Sequence, residues 1–236
     1  MSFRKLNYLS INQARTHMNT PTTLLKIAAL ATLVATGGAN AATELVVNGS
    51  FENNVIASAW APLSSVTGWT SSASGNSAFE IQKGATQGGQ SGFNPVAANG
   101  TQYLELNTDR LTSVSQAIAT TAGGTYALSF AYSGRPDTAG GANSLMNVYW
   151  GSTLLTPTAL VGNTSGVWQT YSQNVTALGA SSLLRFESIG PVSAPTYGSY
   201  LDNVSVMAAV PEPETYAMLL LGLGLLGFMA RRKRAA

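Results

Sequence analysis

The sequence predicts an all-β protein, an antiparallel jelly-roll sandwich set between two apolar ends. Three observations carry this reading. From Thr43 to Met207 no stretch has the apolar repeat of an amphipathic helix. Short runs of alternating apolar and polar residues recur there instead, separated by Gly, Pro, Asn and Ser. About nine or ten such runs match the strand number of a two-sheet jelly roll. At 236 residues the chain holds one sizeable domain with trimmings, since domains run to about 100–200 residues.

The runs justify themselves one by one. The first is "TELVVN" and the second "SAFEIQ", followed by "TQYLEL". In "SVSQAIATTAGGTYALSFAYSG", Val114, Gln116 and Ile118 share one face of one strand. Tyr126, Leu128, Phe130 and Tyr132 share a face of the next, with Ala127, Ser129, Ala131 and Ser133 opposite, and Gly123-Gly124 is expected to make a hairpin turn. "LMNVYW", "WQTYSQNV", "LLRFES" and "YLDNVSV" complete the set.

Composition removes several function classes. With no Cys there is no disulfide framework, thiolate nucleophile or thiolate metal site. The net charge of +2 hides a split. Between Ala42 and Val210 four bases (Lys83, Arg110, Arg135, Arg185) face eight acids (Glu44, Glu52, Glu80, Glu105, Asp109, Asp137, Glu187, Asp202), a net −4. No basic footprint for nucleic acid exists in the central domain; the positive charge belongs to the ends.

The ends read as addresses. Lys26, the apolar run 27–34 and the small-residue site Ala39-Asn40-Ala41 form a secretory signal peptide over 1–41, cut after Ala41. The polar stretch before it is long, so either Met18 is the true start or the n-region is extended. The sandwich is expected over 42–207 and a linker with Pro211-Glu212-Pro213 over 208–214. A hydrophobic transmembrane helix follows over 215–230, then a basic cytoplasmic tail over 231–236. The sixteen uncharged residues 215–230 reach about 24 Å as a helix, short of a hydrocarbon core of about 30 Å but within what local thinning tolerates. Arg231, Arg232, Lys233 and Arg234 stay inside by the positive-inside rule. Gly222, Gly224 and Gly227 spell a dinucleotide fingerprint, but within an apolar terminal helix they are packing residues.

Pro-Glu-Pro, the apolar span and the basic cluster together resemble the PEP-CTERM sorting signal of Gram-negative bacteria. The resemblance implies processing by an exosortase-type membrane enzyme, transient anchoring, then release or attachment at the cell surface alongside exopolysaccharide and biofilm systems. The alternative is a plain C-terminal anchor on a Pro-rich linker. The two prolines suit a handle, holding an extended backbone that an enzyme can grip.

Four stretches of the central domain, "LVVNGSFENN", "SVSQAIATTAGGTYALSFAYSGRP", "GVWQTYSQNV" and "GSYLDNVSV", resemble the galactose-binding-like β-sandwich. The likeness is to the plant cell-wall domain of unknown function and the bacterial choice-of-anchor C proteins. Relatives of this fold are often carbohydrate-binding modules, although fold alone does not confer the activity. The resemblance also implies a structural calcium held by Glu52 of "NGSFE" and Asp202 of "LDNV" with backbone carbonyls, a reasonable oxygen shell for a hard cation. In the alternative, Asp202 accepts loop N–H groups and Glu52 is solvated.

Catalysis has little to work with. His17, the only histidine, lies in the segment removed on export, so the mature chain has no Ser-His-Asp device and no His-rich metal centre. Paired carboxylates remain, but Glu80, Glu105, Asp109, Asp137 and Glu187 are scattered over separate strands, and no catalytic residue is assigned. For ligand binding, the aromatics of "NVYW" and "WQTYSQNV" alternate as strand residues do. Trp60 and Trp69, in Gly/Ser-rich irregular sequence, are the expected ligand-facing aromatics, with Arg135 of "SGRPD" as a loop contact. Otherwise the tryptophans are core and Arg135 is solvated. Five Asn-x-Ser/Thr triplets are read as chance in an Asn/Ser/Thr-rich chain. The expected protein is an exported, non-enzymatic surface or matrix component with a structural or adhesive role in an exopolysaccharide matrix, to which weak carbohydrate binding would contribute; the alternatives are a glycoside hydrolase on the same fold and a structural coat protein with no glycan affinity.

Overall fold

The computed structural model describes residues 42–83, 95–136, 144–162, 166–190, 195–208, 219–227 and 231. The strands are β1 (Trp60–Leu63), β2 (Thr70–Ser71), β3 (Phe79–Lys83), β4 (Gln102–Glu105), β5 (Ser113–Ala119) and β6 (Thr125–Ser133). They continue as β7 (Leu145–Trp150), β8 (Thr153–Leu154), β9 (Leu160–Val161), β10 (Gln169–Thr176), β11 (Ser181–Gly190) and β12 (Tyr200–Ala208). One sheet runs β1-β3-β4-β12-β6-β10; the other runs β2-β5-β11-β7-β8, with β9 also on β7. Every pairing between these strands is antiparallel, so the all-β sandwich expected from the alternation is what forms.

The predicted faces hold. Val114, Gln116 and Ile118 are buried along β5, and Tyr126, Leu128, Phe130 and Tyr132 along β6. They meet across the sandwich: Phe130 of the first sheet packs edge-on against Phe186 of the second, ring centroids 4.9 Å apart. Fully buried apolar side chains of this kind each contribute about 1.5–3 kcal/mol, and those of Leu128, Ile118, Leu184 and Val206 join the same cluster.

Two expectations are corrected. Gly123-Gly124 does not close a hairpin, because β5 and β6 lie in different sheets. The turn carries the chain across the sandwich, with Gly123 at φ 77°. It is stitched to the crossover turn between β10 and β11 by Gly123 N–H to Ala177 O (2.8 Å) and Ala177 N–H to Gly124 O (2.9 Å). "TELVVN" is likewise no full strand. It touches β12 through a single bridge, Glu44 to Met207, because the Glu44 carboxylate takes the Val206 N–H (2.9 Å) and the next residues turn away. Asn48 and Phe51, both with positive φ, make that turn and bury Phe51 completely.

Residues 219–227 are helical with their leucines exposed, Leu221 by 61% and Leu225 by 63%. A helix apolar all round calls for an apolar surrounding. Nine residues rise only about 14 Å, and among the described residues no helix is long and apolar enough to cross a membrane. Of the segment 215–230 expected to span a membrane, residues 219–227 are described, and as a helix they do not meet that length and hydropathy. Its flanks, the signal peptide with His17, Asp137, Pro211-Glu212-Pro213, Arg232, Lys233 and Arg234 lie outside the described residues; Arg231 is exposed.

Candidate functional site

The outer face of the first sheet carries the candidate site. In β3, Phe79 and Ile81 turn into the core, which puts Glu80 and Gln82 on the outside. In β4, Leu104 takes the core and Glu105 the outside. Antiparallel register then aligns one row across five strands: Pro62 beside Glu80, Glu80 beside Glu105, Glu105 beside Tyr200, Tyr200 beside Ser133. Trp60 stands beside Gln82 in the next row.

This outer face is not bare. Ser144 anchors the segment after β6 by accepting the Arg135 N–H (3.2 Å), and its carbonyl accepts the Ser199 hydroxyl (2.9 Å). Asn107 holds the Tyr197 carbonyl at 3.0 Å. These segments overhang the sheet, leaving a cleft of about 340 Å3 lined by Trp60, Glu80, Gln82, Thr108, Arg135 and Tyr197 among others. The volume lies in the range of small-ligand sites.

At its floor two glutamates share one site. Glu80 and Glu105 are 5% and 1% exposed and hydrogen-bond to each other. Gln82 Nε2 donates to both, at 2.7 Å to Glu80 Oε1 and 2.9 Å to Glu105 Oε2. Arg135 Nη1 donates to Glu105 Oε1 at 3.0 Å, and the Gly198 N–H to the same oxygen at 3.1 Å. Burial, then the charge of Glu105, pushes the Glu80 carboxyl up to about 9. Burial also raises Glu105, but Arg135 and the Gly198 N–H oppose it. At neutral pH Glu80 therefore holds a proton, and the guanidinium and the Gly198 N–H favour the charged form of Glu105.

The rest of the cleft is amphipathic. Trp60 is 37% exposed, and the Arg135 guanidinium sits 4.7 Å from the centre of the Tyr197 ring. Thr108 Oγ1 is buried at the cleft wall without a hydrogen-bond partner among the described residues, the kind of atom an incoming hydroxyl satisfies.

The structure thus brings Trp60 and Arg135 into one cleft and places Trp69 elsewhere. Trp69 is 6% exposed, packed between Phe51 (5.4 Å) and Phe186 (6.1 Å), its Nε1–H donating to the Asn48 carbonyl. The expectation of an exposed Trp69 is corrected: its Gly/Ser-rich flanks form a tight turn that folds the indole inward. Sequence reasoning also left Glu80 and Glu105 unpaired. The Glu80-x-Gln82 and Gln102-x-x-Glu105 spacings were visible, but their opposition exists only in the β3–β4 register.

Glu52 and Asp202 meet elsewhere, on the loop before β4. Glu52 Oε1 accepts the Thr101 and Gln102 N–H groups (2.8 and 2.7 Å), and Oε2 the Thr101 hydroxyl. Asp202, fully buried, accepts the Asn99 and Asn203 N–H groups at 2.8 and 2.7 Å. Burial pushes Asp202 up to about 7 despite these bonds, and the Glu52 charge adds to the rise. The donor set fits a hard cation in kind: oxygen atoms only, two charges, and a buried carboxylate whose desolvation is only partly offset. Among the described residues no third carboxylate or histidine joins them, so backbone carbonyls would have to complete a shell.

Comparison with known proteins follows from this geometry. Residues 44–207 match the model of a protein family of unknown function (DUF642), and residues 209–234 the PEP-CTERM protein-sorting motif. Among solved structures, TmCBM61 in complex with β-1,4-galactotriose is 11% identical, with 71% of this chain and 99% of that one aligned at a TM-score of 0.45. A family 16 carbohydrate-binding module is 16% identical over 69% of this chain and 98% of its own (TM-score 0.44). CBM35 from Paenibacillus barcinonensis is 15% identical over 72% and 100% (TM-score 0.37). No curated protein matches the chain.

Proposed function

We propose that this chain, which belongs to the DUF642 family of proteins of unknown function, is an exported surface or matrix protein that holds a carbohydrate in the cleft beside Trp60 and does not cleave it. The observation that carries this reading is the cleft itself. A half-exposed indole stands next to a fixed polar floor of Glu80, Gln82 and Arg135. Sugars present both kinds of surface, an apolar face of C–H groups and a rim of hydroxyls.

Spacing supports binding over hydrolysis. Glycosidases set two carboxyl groups about 5–10 Å apart to flank the scissile bond. Glu80 and Glu105 face each other on adjacent strands and share the Gln82 Nε2 donor (2.7 and 2.9 Å), which ties both carboxyl groups to the floor of the cleft rather than to either side of a scissile bond. A glycan array followed by incubation of any bound glycan tests the reading. Binding without new reducing ends is expected; new reducing ends would instead favour the hydrolase.

The PEP-CTERM sorting motif over residues 209–234 supports export and sorting to the cell surface of a Gram-negative bacterium. On that basis an exosortase-type enzyme grips Pro211-Glu212-Pro213, the apolar stretch around 219–227 holds the chain in the membrane until cleavage, and the partner at the surface is exopolysaccharide. Glu52 and Asp202 hold a structural calcium ion on this reading. Calcium there would supply the positive charge that the buried Asp202 lacks and would tie β12 to the loop before β4.

A further inference from the structure

Deepening the proposed carbohydrate site, on which it rests, we infer that the cleft selects neutral, hydroxyl-rich sugars and rejects uronates, because Arg135, the cation among its described lining residues, is already paired with Glu105 behind it. Arg135 lines the cleft, yet its Nη1 donates to Glu105 Oε1 (3.0 Å), to Glu105 Oε2 (3.3 Å) and to the Thr196 carbonyl (3.4 Å). Its side chain is only 12% exposed and that of Glu105 wholly buried. A sugar carboxylate at Arg135 would draw the guanidinium charge away from Glu105, a wholly buried carboxylate that depends on it.

The remaining floor is built to accept rather than donate. Gln82 spends its amide N–H groups on Glu80 and Glu105. Glu80 Oε1 receives one of them, and the Glu80 carboxyl lies against Glu105 on the neighbouring strand. What the Glu80 carboxyl offers the cleft is therefore oxygen lone pairs. Hydroxyl groups donate to such oxygens; a carboxylate, which only accepts, is repelled. With one proton on the glutamate pair and one positive charge on Arg135, the floor as a whole is electrically neutral, so no attractive field compensates an anion for lost hydration. Trp60 adds a face that takes the C–H side of a sugar ring and is indifferent to charge at C6.

The test uses the full chain in neutral detergent and trisaccharide pairs that differ only at C6, CH2OH against carboxylate: β-1,4-mannotriose with its mannuronate counterpart, and cellotriose with its glucuronate counterpart. Titration calorimetry should give at least one neutral trisaccharide bound about tenfold or more tighter than its uronate, with an affinity that stays within about twofold between 50 and 500 mM NaCl. Glu105→Gln should erase the preference by releasing Arg135, raising uronate affinity relative to the neutral partner about tenfold. If that variant does not fold, the wild-type pairs and their salt dependence decide alone. A uronate bound as tightly as its neutral partner, at a site lost in Trp60→Ala, overturns the selectivity and leaves the carbohydrate site standing. No binding to any of the four overturns the selectivity, and binding unaffected by Trp60→Ala overturns both.

Discussion

Glu80 of β3 lies directly across from Glu105 of β4, and the two buried carboxyl groups hydrogen-bond to each other on the outer face of the first sheet. Like-charged residues opposite one another normally weaken a sheet. Here one proton, one guanidinium and one glutamine amide turn the conflict into a fixed floor for the cleft, and the cost of that arrangement is measurable.

Stability should fall as pH rises. Glu80 titrates near 4.5 in an unfolded chain and near 9 when folded. Across that window the unfolded state loses a proton that the native state keeps, so native stability is full below about pH 4.5 and declines towards pH 9. With calcium removed, Asp202, raised from 3.8 to about 7, adds to the same trend over its lower part. Glu80→Gln keeps the hydrogen bonds without the titration. Thermal melts should give this variant a Tm at least about 2 °C above wild type at pH 8, about 1 kcal/mol for a domain of this size, and no gain at pH 4. A wild type that melts higher at pH 8 than at pH 5 would refute the shared proton.

The two tryptophans should separate cleanly. Trp69→Ala removes a buried indole and a hydrogen bond to the Asn48 carbonyl, and a loss of about 3–5 kcal/mol is expected from chemical denaturation. Trp60→Ala, at a 37% exposed edge-strand position, should cost less than about 1.5 kcal/mol. Equal losses would contradict the placement of the two rings.

Their contrast marks what the sequence makes legible. Alternation in "SVSQAIA" and "TYALSFAYS" gives the buried faces of β5 and β6 directly, because a strand's period is fixed by its backbone. Which strands neighbour each other is not periodic, so the Gly123-Gly124 turn reads as a hairpin although it crosses between sheets. Trp69 looks loop-exposed because Gly68, at φ 83°, bends the chain sharply, and that bend carries the ring into the core. Trp60 and Arg135 are visible as candidates from their irregular surroundings. Glu80 and Glu105, 25 positions apart, become partners only once β3 and β4 pair.

Calcium at Glu52 and Asp202 predicts a chelator effect. Adding excess EGTA should lower the Tm of the wild type by several degrees, and Asp202→Asn should lower the Tm and abolish that sensitivity. An unchanged wild-type melting curve would mean that the loop N–H groups of Asn99, Thr101, Gln102 and Asn203 suffice for these carboxylates.

Processing predicts defined ends. Mass spectrometry of the exported protein should find termini near Ala42 and near Pro211–Pro213. Recovery of chains that retain Arg231 to Arg234 would argue for a permanent anchor.

The central claim is that a sugar sits on Trp60 above the glutamate pair. Titration calorimetry of the full chain and of Trp60→Ala against β-1,4-mannotriose, cellotriose and β-1,4-galactotriose tests it most directly. The account predicts that at least one of the three binds the wild type and binds folded Trp60→Ala about tenfold or more weakly, a loss near 1.4 kcal/mol. Undiminished affinity in that variant, or no heat with any of the three, would contradict it.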